Sequence, residues 1–131
     1  MTGIDTNILV RYIVQDDKEQ AGKATRFIES KCTVQSPGFI NIIVLCELVW
    51  VLKRAYGYEK SVIAEVLSIL LSVQEIMVDR SAEVAIALSE YASGGADFVD
   101  YLIAVINNQK GCDTTYTLDR EAARYRGFKK L

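Results

Sequence analysis

Thr2-Gly3-Ile4-Asp5-Thr6-Asn7-Ile8-Leu9-Val10 contains a change of pattern that recurs along the whole chain. Residues 2–5 read as a short strand ending on Asp5. Thr6-Asn7 then leads into an apolar run, and an Asp or Asn at such a junction favours a helix N-cap. Downstream, residues 17–31 place Ala21, Ala24, Phe27 and Ile28 at helical spacing. Thr33–Ser36 reads as a short strand stopped by Pro37-Gly38. Residues 39–55 are predicted as a strongly apolar helix ending near Gly57. Residues 59–73 form another, with Val62, Val66, Ile69, Leu70 and Val73 on one stripe. Ile76–Val78 is a strand, 81–93 a helix closed by Gly94-Gly95, and 97–109 a helix ending near Gly111. Thr114–Thr117 is rich in strand-forming Thr and Tyr, and a short basic helix follows Asp119. Strands separated by helices predict a three-layer α/β/α fold with a central, mainly parallel sheet, Rossmann-like, in one domain over residues 1–131. Such sheets bind ligands beyond the carboxyl ends of their strands. Asp5 and Asp119 both end strand-like runs.

The composition narrows the chemistry. The chain has 131 residues, 50% of them hydrophobic and 24% charged, enough apolar material for one sizeable core. The longest apolar stretch, Ile42–Leu52, is interrupted by Glu47 and too short to cross a bilayer. No basic region followed by a long apolar run opens the chain, so no secretory signal is expected, and the reading is a soluble, cytoplasmic protein. Cys32, Cys46 and Cys112 are widely spaced and odd in number, which speaks against disulfides and zinc knuckles. Cys46 is expected as a small buried hydrophobe. There is no histidine. Ser-His-Asp and Cys-His nucleophile systems are therefore excluded, as is acid–base hydrolysis by a histidine pair. Catalysis has to use carboxylates, Lys, Tyr, Cys, or a metal held by oxygen. The net charge of −2 argues against a long duplex-DNA footprint. Residues 120–131 nonetheless set Arg120, Arg124, Arg126, Lys129 and Lys130 against Glu121 alone.

Four acidic stretches stand out. Glu47 lies within about 60° of Ile40, Ile43, Val44, Trp50 and Val51 on a helical projection. It is therefore expected in a buried setting, where a carboxylate needs a cation or an ion pair. Arg54 lies on the same line two turns on. Asp97 and Asp100 share a helix face in a first turn, where acids also serve as caps. Val99, Leu102 and Ile103 make that helix core-facing. Asp5 and Asp119 have cap readings too. Several carboxylates without histidine form the donor set of a hard divalent cation, and the acids are expected to meet in one pocket.

Four stretches carry a family resemblance. They are Gly3-Ile4-Asp5-Thr6-Asn7-Ile8-Leu9-Val10-Arg11-Tyr12, Val44-Leu45-Cys46-Glu47-Leu48-Val49-Trp50-Val51-Leu52, Ala96-Asp97-Phe98-Val99-Asp100-Tyr101-Leu102-Ile103-Ala104 and Thr115-Tyr116-Thr117-Leu118-Asp119. In order and in spacing they resemble the acidic motifs of the PIN-domain family, in particular VapC-type toxin ribonucleases. The resemblance covers nearly the whole chain. It implies that Asp5, Glu47 and Asp100 are core acids, that Asp119 completes the site, and that Asp97 is an accessory acid. Thr6, Asn7 and Thr117 match polar positions that hold acids or waters. Leu118 stands where the family commonly has Phe, a difference of packing. The implied activity is hydrolysis of RNA with Mg²⁺ or Mn²⁺, leaving 5′-phosphate and 3′-hydroxyl ends. Arg11, Arg80, Arg120 and Arg124 are candidates for attracting the polyanion. The resemblance further implies a homodimer and a cognate antitoxin that pushes a basic side chain into the acidic pocket. A stand-alone PIN nuclease and a catalytically silent PIN-like binding module are the alternatives. Phosphohydrolases with an Asp nucleophile would favour Asp-x-Asp after the first strand, where Thr6-Asn7 stands. A phospho-acceptor receiver domain would need an acidic pair near its first strand, a mid-chain acceptor Asp and a late Lys, and these are not found.

Overall fold

In the computed structural model, which describes residues 1–131, three short strands run parallel in the order β1 (Thr2–Gly3), β2 (Gly38–Ile40), β3 (Ile76–Val78). Thr2 pairs with Gly38 and Ile40 with Val78. Each ladder gains one more hydrogen bond, from Ile4 N to Phe39 O (3.0 Å) and from Asp79 N to Ile40 O (2.9 Å). These elements belong to a first unit, Met1–Asp79. Its helices are α1 (Thr6–Val14), α2 (Lys18–Lys31), α3 (Ile42–Arg54) and α4 (Lys60–Ser72). Leu9, Ile40, Leu45, Leu48, Leu52, Ile63 and Leu67 form its fully buried core. Parallel strands flanked by helices give the α/β class that the sequence predicts.

Local detail departs from the sequence reading in places with physical causes. The strand expected at Thr33–Ser36 lies instead after Pro37. Ser36 N donates to Thr33 Oγ1 (3.0 Å) and Thr33 N to Ser36 O (3.1 Å), so a Thr side chain closes a turn there. Gly38 opens the strand because a Cβ would fall 2.5 Å from Ile4 Cδ1 and 2.6 Å from Cys32 Sγ. The helix expected from residue 39 begins at Ile42, capped by Asn41, whose Oδ1 accepts from Val44 N at 2.9 Å. On α4 the buried residues are Ile63, Leu67 and Leu70, whereas Val62 and Ile69 face solvent. Cys46 is only half-buried, and all three thiols are free. Burial pushes the Cys32 and Cys46 thiols up.

The second unit, Arg80–Leu131, pairs α5 (Ser81–Ser93) with α6 (Phe98–Gln109). Tyr91 meets Phe98 edge-on, with ring centres 5.9 Å apart. Val84, Ala87, Leu102 and Val105 complete the apolar seam. Ile103, expected in the core, is exposed. Strand β4 (Thr115–Thr117) pairs in parallel with β5 (Phe128–Lys130), where the sequence pattern carries no strand signal. A single 3₁₀ turn at Ala122–Arg124 stands where a basic helix is predicted.

Candidate active site

The first strand delivers Asp5 to the start of α1, where it is the N-cap. Its Oδ1 accepts from Thr6 N at 2.8 Å. One carboxylate oxygen is thus tied to the backbone and holds the side chain at the helix mouth. Thr6, the next residue, is 7% exposed, and its Oγ1 is buried without any hydrogen-bond partner. Native proteins leave few buried polar atoms in that condition, and an absent ion or water is one physical reason for it.

Glu47 reaches the same place from α3. A cavity of about 380 Å³ is lined by Asp5, Thr6, Asn7, Glu47, Arg11 and Tyr56, with Val10, Val51 and Ala55 as apolar wall. The expected burial of Glu47 is overturned. The residue is exposed, and so are its helical neighbours Ile43 (67%) and Trp50 (62%). The helix is apolar on nearly every side, yet only Val44, Leu45, Leu48, Val49 and Leu52 turn inward. Exposed in this way, Glu47 forms no ion pair with Arg54.

The rim carries a network that sequence spacing did not suggest. Arg11 Nη1 lies 3.0 Å from Asp16 Oδ1, and Tyr56 Oη donates to Asp16 Oδ2 at 3.1 Å. The Asp16 hydrogen bond raises the pKa of the Arg11 guanidinium and that of the Tyr56 phenol. For Asp16 itself, desolvation works upward, but the hydrogen bonds from Tyr56 and Arg11 outweigh it and hold the carboxyl below its ordinary value. Asp16 and Tyr56 are forty residues apart, so neither periodicity nor motif spacing joins them.

The remaining predicted acids lie in the second unit. Asp97 is the N-cap of α6 and Asp100 the third residue of the helix, and together they form a reciprocal capping box. Asp100 Oδ2 accepts from Asp97 N at 3.3 Å. Asp100 is half-buried and Asp97 exposed. Asp119 follows β4. Its Oδ1 accepts from Glu121 N (2.8 Å) and Ala122 N (3.1 Å), while Thr117 Oγ1 accepts from Asp119 N (3.0 Å). The loop before Asp97 and the turn after Asp119 are neighbours, since a Cβ on Gly95 would sit 2.7 Å from Glu121 Oε2. Leu118, where packing was expected, is 75% exposed. Of the candidate cations, Arg80 is exposed with left-handed backbone (φ 53°), Arg120 is exposed, and Arg124 lies 3.5 Å from Glu121.

Within neither unit do three or more His, Cys, Asp or Glu side chains cluster so as to hold a metal ion by themselves. The first unit therefore brings Asp5, Thr6, Asn7 and Glu47 together, and the second pairs Asp97 with Asp100 and Thr117 with Asp119. No helix is long and apolar enough to cross a membrane. A family model described as PIN domain matches residues 4–127. No curated protein and no solved structure matches the chain.

Proposed function

We propose a function from the premise that this chain belongs to the PIN domain family, whose members are in general nucleases. The chain is a metal-dependent endoribonuclease, a hydrolase of RNA phosphodiester bonds, and acts as the toxin of a toxin–antitoxin pair. The observation that carries the reading is the cavity lined by Asp5, Thr6 and Glu47, beside which Thr6 Oγ1 is buried and unpartnered. Two carboxylates and an orphan hydroxyl form an oxygen-only donor set, which fits Mg²⁺ or Mn²⁺. We assign Asp5 and Glu47 as the acids of the first unit that would hold an ion, and Asp100, Asp119 and the accessory Asp97 as the site acids of the second unit. Thr6, Asn7 and Thr117 are supporting polar groups. When bound, such an ion lowers the pKa of a coordinated water and stabilises charge on phosphate.

The chain's own side chains supply the rest. Asp5 keeps its position because the Thr6 amide holds one of its oxygens. The exposed Glu47 carboxylate lines the same cavity as Asp5 and would orient an attacking water there. Arg11 places a permanent cation beside these acids and offers a phosphate its unused N–H donors. Asp16 holds that guanidinium through its Nη1.

The toxin reading brings an antitoxin whose Arg competes for the acids, and a homodimer built on the exposed apolar residues of α3 and α4. Asp5→Asn and Asp100→Asn, assayed for cleavage of single-stranded RNA with Mg²⁺ or Mn²⁺, test the assignment. Each variant is expected to lose activity by a factor of a hundred or more, on the order of a removed ligand's effect. Full activity in either would overturn it.

A further inference from the structure

A second cavity, about 580 Å³, opens on the first unit next to the acidic one. Asn7 and Arg11 line both. Beyond them its walls are Ile8 from α1 and Gln20, Lys23 and Phe27 from α2. The two helices meet here because the Ala21 and Ala24 side chains are small and buried at the seam, while Gln15 closes the corner. Gln15 has left-handed backbone (φ 59°), and its Nε2 donates to Tyr12 O (2.8 Å) and Thr25 Oγ1 (3.2 Å).

The lining has a specific chemistry. It contains two cations, Arg11 and Lys23, and no acid. It offers one half-buried aromatic ring, Phe27, and two amides, Asn7 and Gln20. Lys23 pairs with Glu19, an exposed i,i+4 pairing at 3.6 Å, which solvent weakens. Its volume falls within the range of pockets that take small organic groups. Aromatic rings beside cations, on a path that leaves an acidic centre, are what a single RNA strand requires: bases stack on the ring and phosphates meet the cations. Asp16 adds order, since it fixes the Arg11 side chain at the boundary between the two cavities.

Resting on the nuclease reading above, we propose that this second cavity is a nucleotide subsite. A base flanking the cleaved bond stacks on Phe27, with its phosphate near Arg11 and Lys23. The subsite ties cleavage to single-stranded RNA, because a paired base is not free to enter it.

The test uses the full chain and a fluorescently labelled single-stranded RNA octamer. Binding is followed by anisotropy in EDTA, and cleavage separately in Mn²⁺. Phe27→Leu keeps apolar bulk and removes the ring, and is expected to weaken binding roughly fivefold or more. Lys23→Glu changes an exposed residue, and is expected to lower the dependence of log Kd on log salt by about one phosphate contact. In both, KM rises while kcat holds. Thermal melts establish that each variant is folded. Wild-type cleavage together with unaltered affinity in both variants overturns the subsite and leaves the nuclease reading intact; a groove that serves a protein partner instead gives this same result. A wild-type chain that neither binds nor cleaves the RNA removes the nuclease reading and the subsite with it.

Discussion

Arg11 Nη1 and Asp16 Oδ1 stand 3.0 Å apart, and Tyr56 Oη closes on the other oxygen of the same carboxylate at 3.1 Å. Asp16 thus clamps two side chains that both line the acidic cavity. An Arg held by an acid on one side has fewer conformations to lose when it meets a phosphate on the other. Asp16→Ala is expected to raise KM for RNA roughly two- to fivefold, the scale of an exposed pair, with kcat nearly constant. A fall in kcat with unchanged KM would sink this positioning role. The pH signature has a defined sign. The folded Asp16 pKa is below its ordinary value, so its contribution to stability is present above the unfolded pKa and lost as pH falls through the folded one. The difference in melting temperature between wild type and Asp16→Asn should be flat from about pH 5 to 8 and shrink below about pH 4.

Thr6 offers a sharper separation of stability from function. Its Oγ1 is buried and unpartnered, a condition that costs about 1–3 kcal/mol. Valine has nearly the same shape and no hydroxyl. Thr6→Val is expected to stabilise the chain by about 1 kcal/mol, read as a melting temperature higher by a few degrees. Cleavage is expected to fall roughly tenfold, and the Mn²⁺-induced thermal shift to shrink with it. A hotter-melting variant with undiminished cleavage would show that the hydroxyl serves no ligand.

Much of this was legible in the sequence, and the failures are instructive. Asp5, Asp97 and Asp119 were readable as caps and as site acids at once, and they do cap: Asp5 on Thr6 N, Asp97 within a capping box, Asp119 on two amides. A cap uses part of a carboxylate's hydrogen-bonding capacity, so the cap role by itself does not exclude the other. Glu47 was singled out for the wrong reason. A helix apolar on every side implies burial, but α3 keeps Ile43 and Trp50 exposed, and Glu47 shares their side. Periodicity cannot tell which of two apolar faces turns to the core, and on α4 the stripe of Val62 and Ile69 likewise lies open to solvent while Ile63 and Leu67 are buried. The strand at Gly38–Ile40 was hidden because Pro37-Gly38 reads as a stop signal. Only the close approach of Ile4 and Cys32 shows why glycine begins that strand.

Gly94 makes a prediction within the second unit. A Cβ there would overlap the Tyr101 hydroxyl and lie 3.0 Å from Glu90 O. Tyr101 is buried, accepts from Ala96 N at 3.2 Å, and packs edge-on against Tyr125 with centroids 5.0 Å apart. The ring cannot yield without breaking the contact that shapes the loop before Asp97. Gly94→Ala is expected to cost about 1–3 kcal/mol. Tyr101→Phe leaves the Ala96 amide unpaired and should cost about 1–3 kcal/mol of its own. Because the phenol oxygen is part of the clash, the double variant should be more stable than the sum of the two losses predicts. Strict additivity in urea melts would mean that the two residues do not meet as described.

The exposed apolar residues of the first unit bear on assembly. Ile43 and Trp50 on α3 are 67% and 62% exposed, and Val62 and Ile69 on α4 are also open to solvent. A lone exposed aliphatic is ordinary, but an exposed indole together with several exposed aliphatics on α3 and α4 is the composition of an interface centre. The proposed homodimer would bury them. Trp50→Glu and Ile43→Glu put charge on that surface without touching the core, so folding stability should change by no more than about 0.5 kcal/mol. Light scattering after gel filtration at micromolar concentration is expected to give a dimer for wild type and a monomer for either variant. Since Trp50 is a neighbour of Glu47 on the helix, the monomeric variants also report whether assembly matters to cleavage. A wild-type chain that elutes as a monomer, or a Trp50→Glu chain that stays dimeric, would remove these residues from the assembly surface.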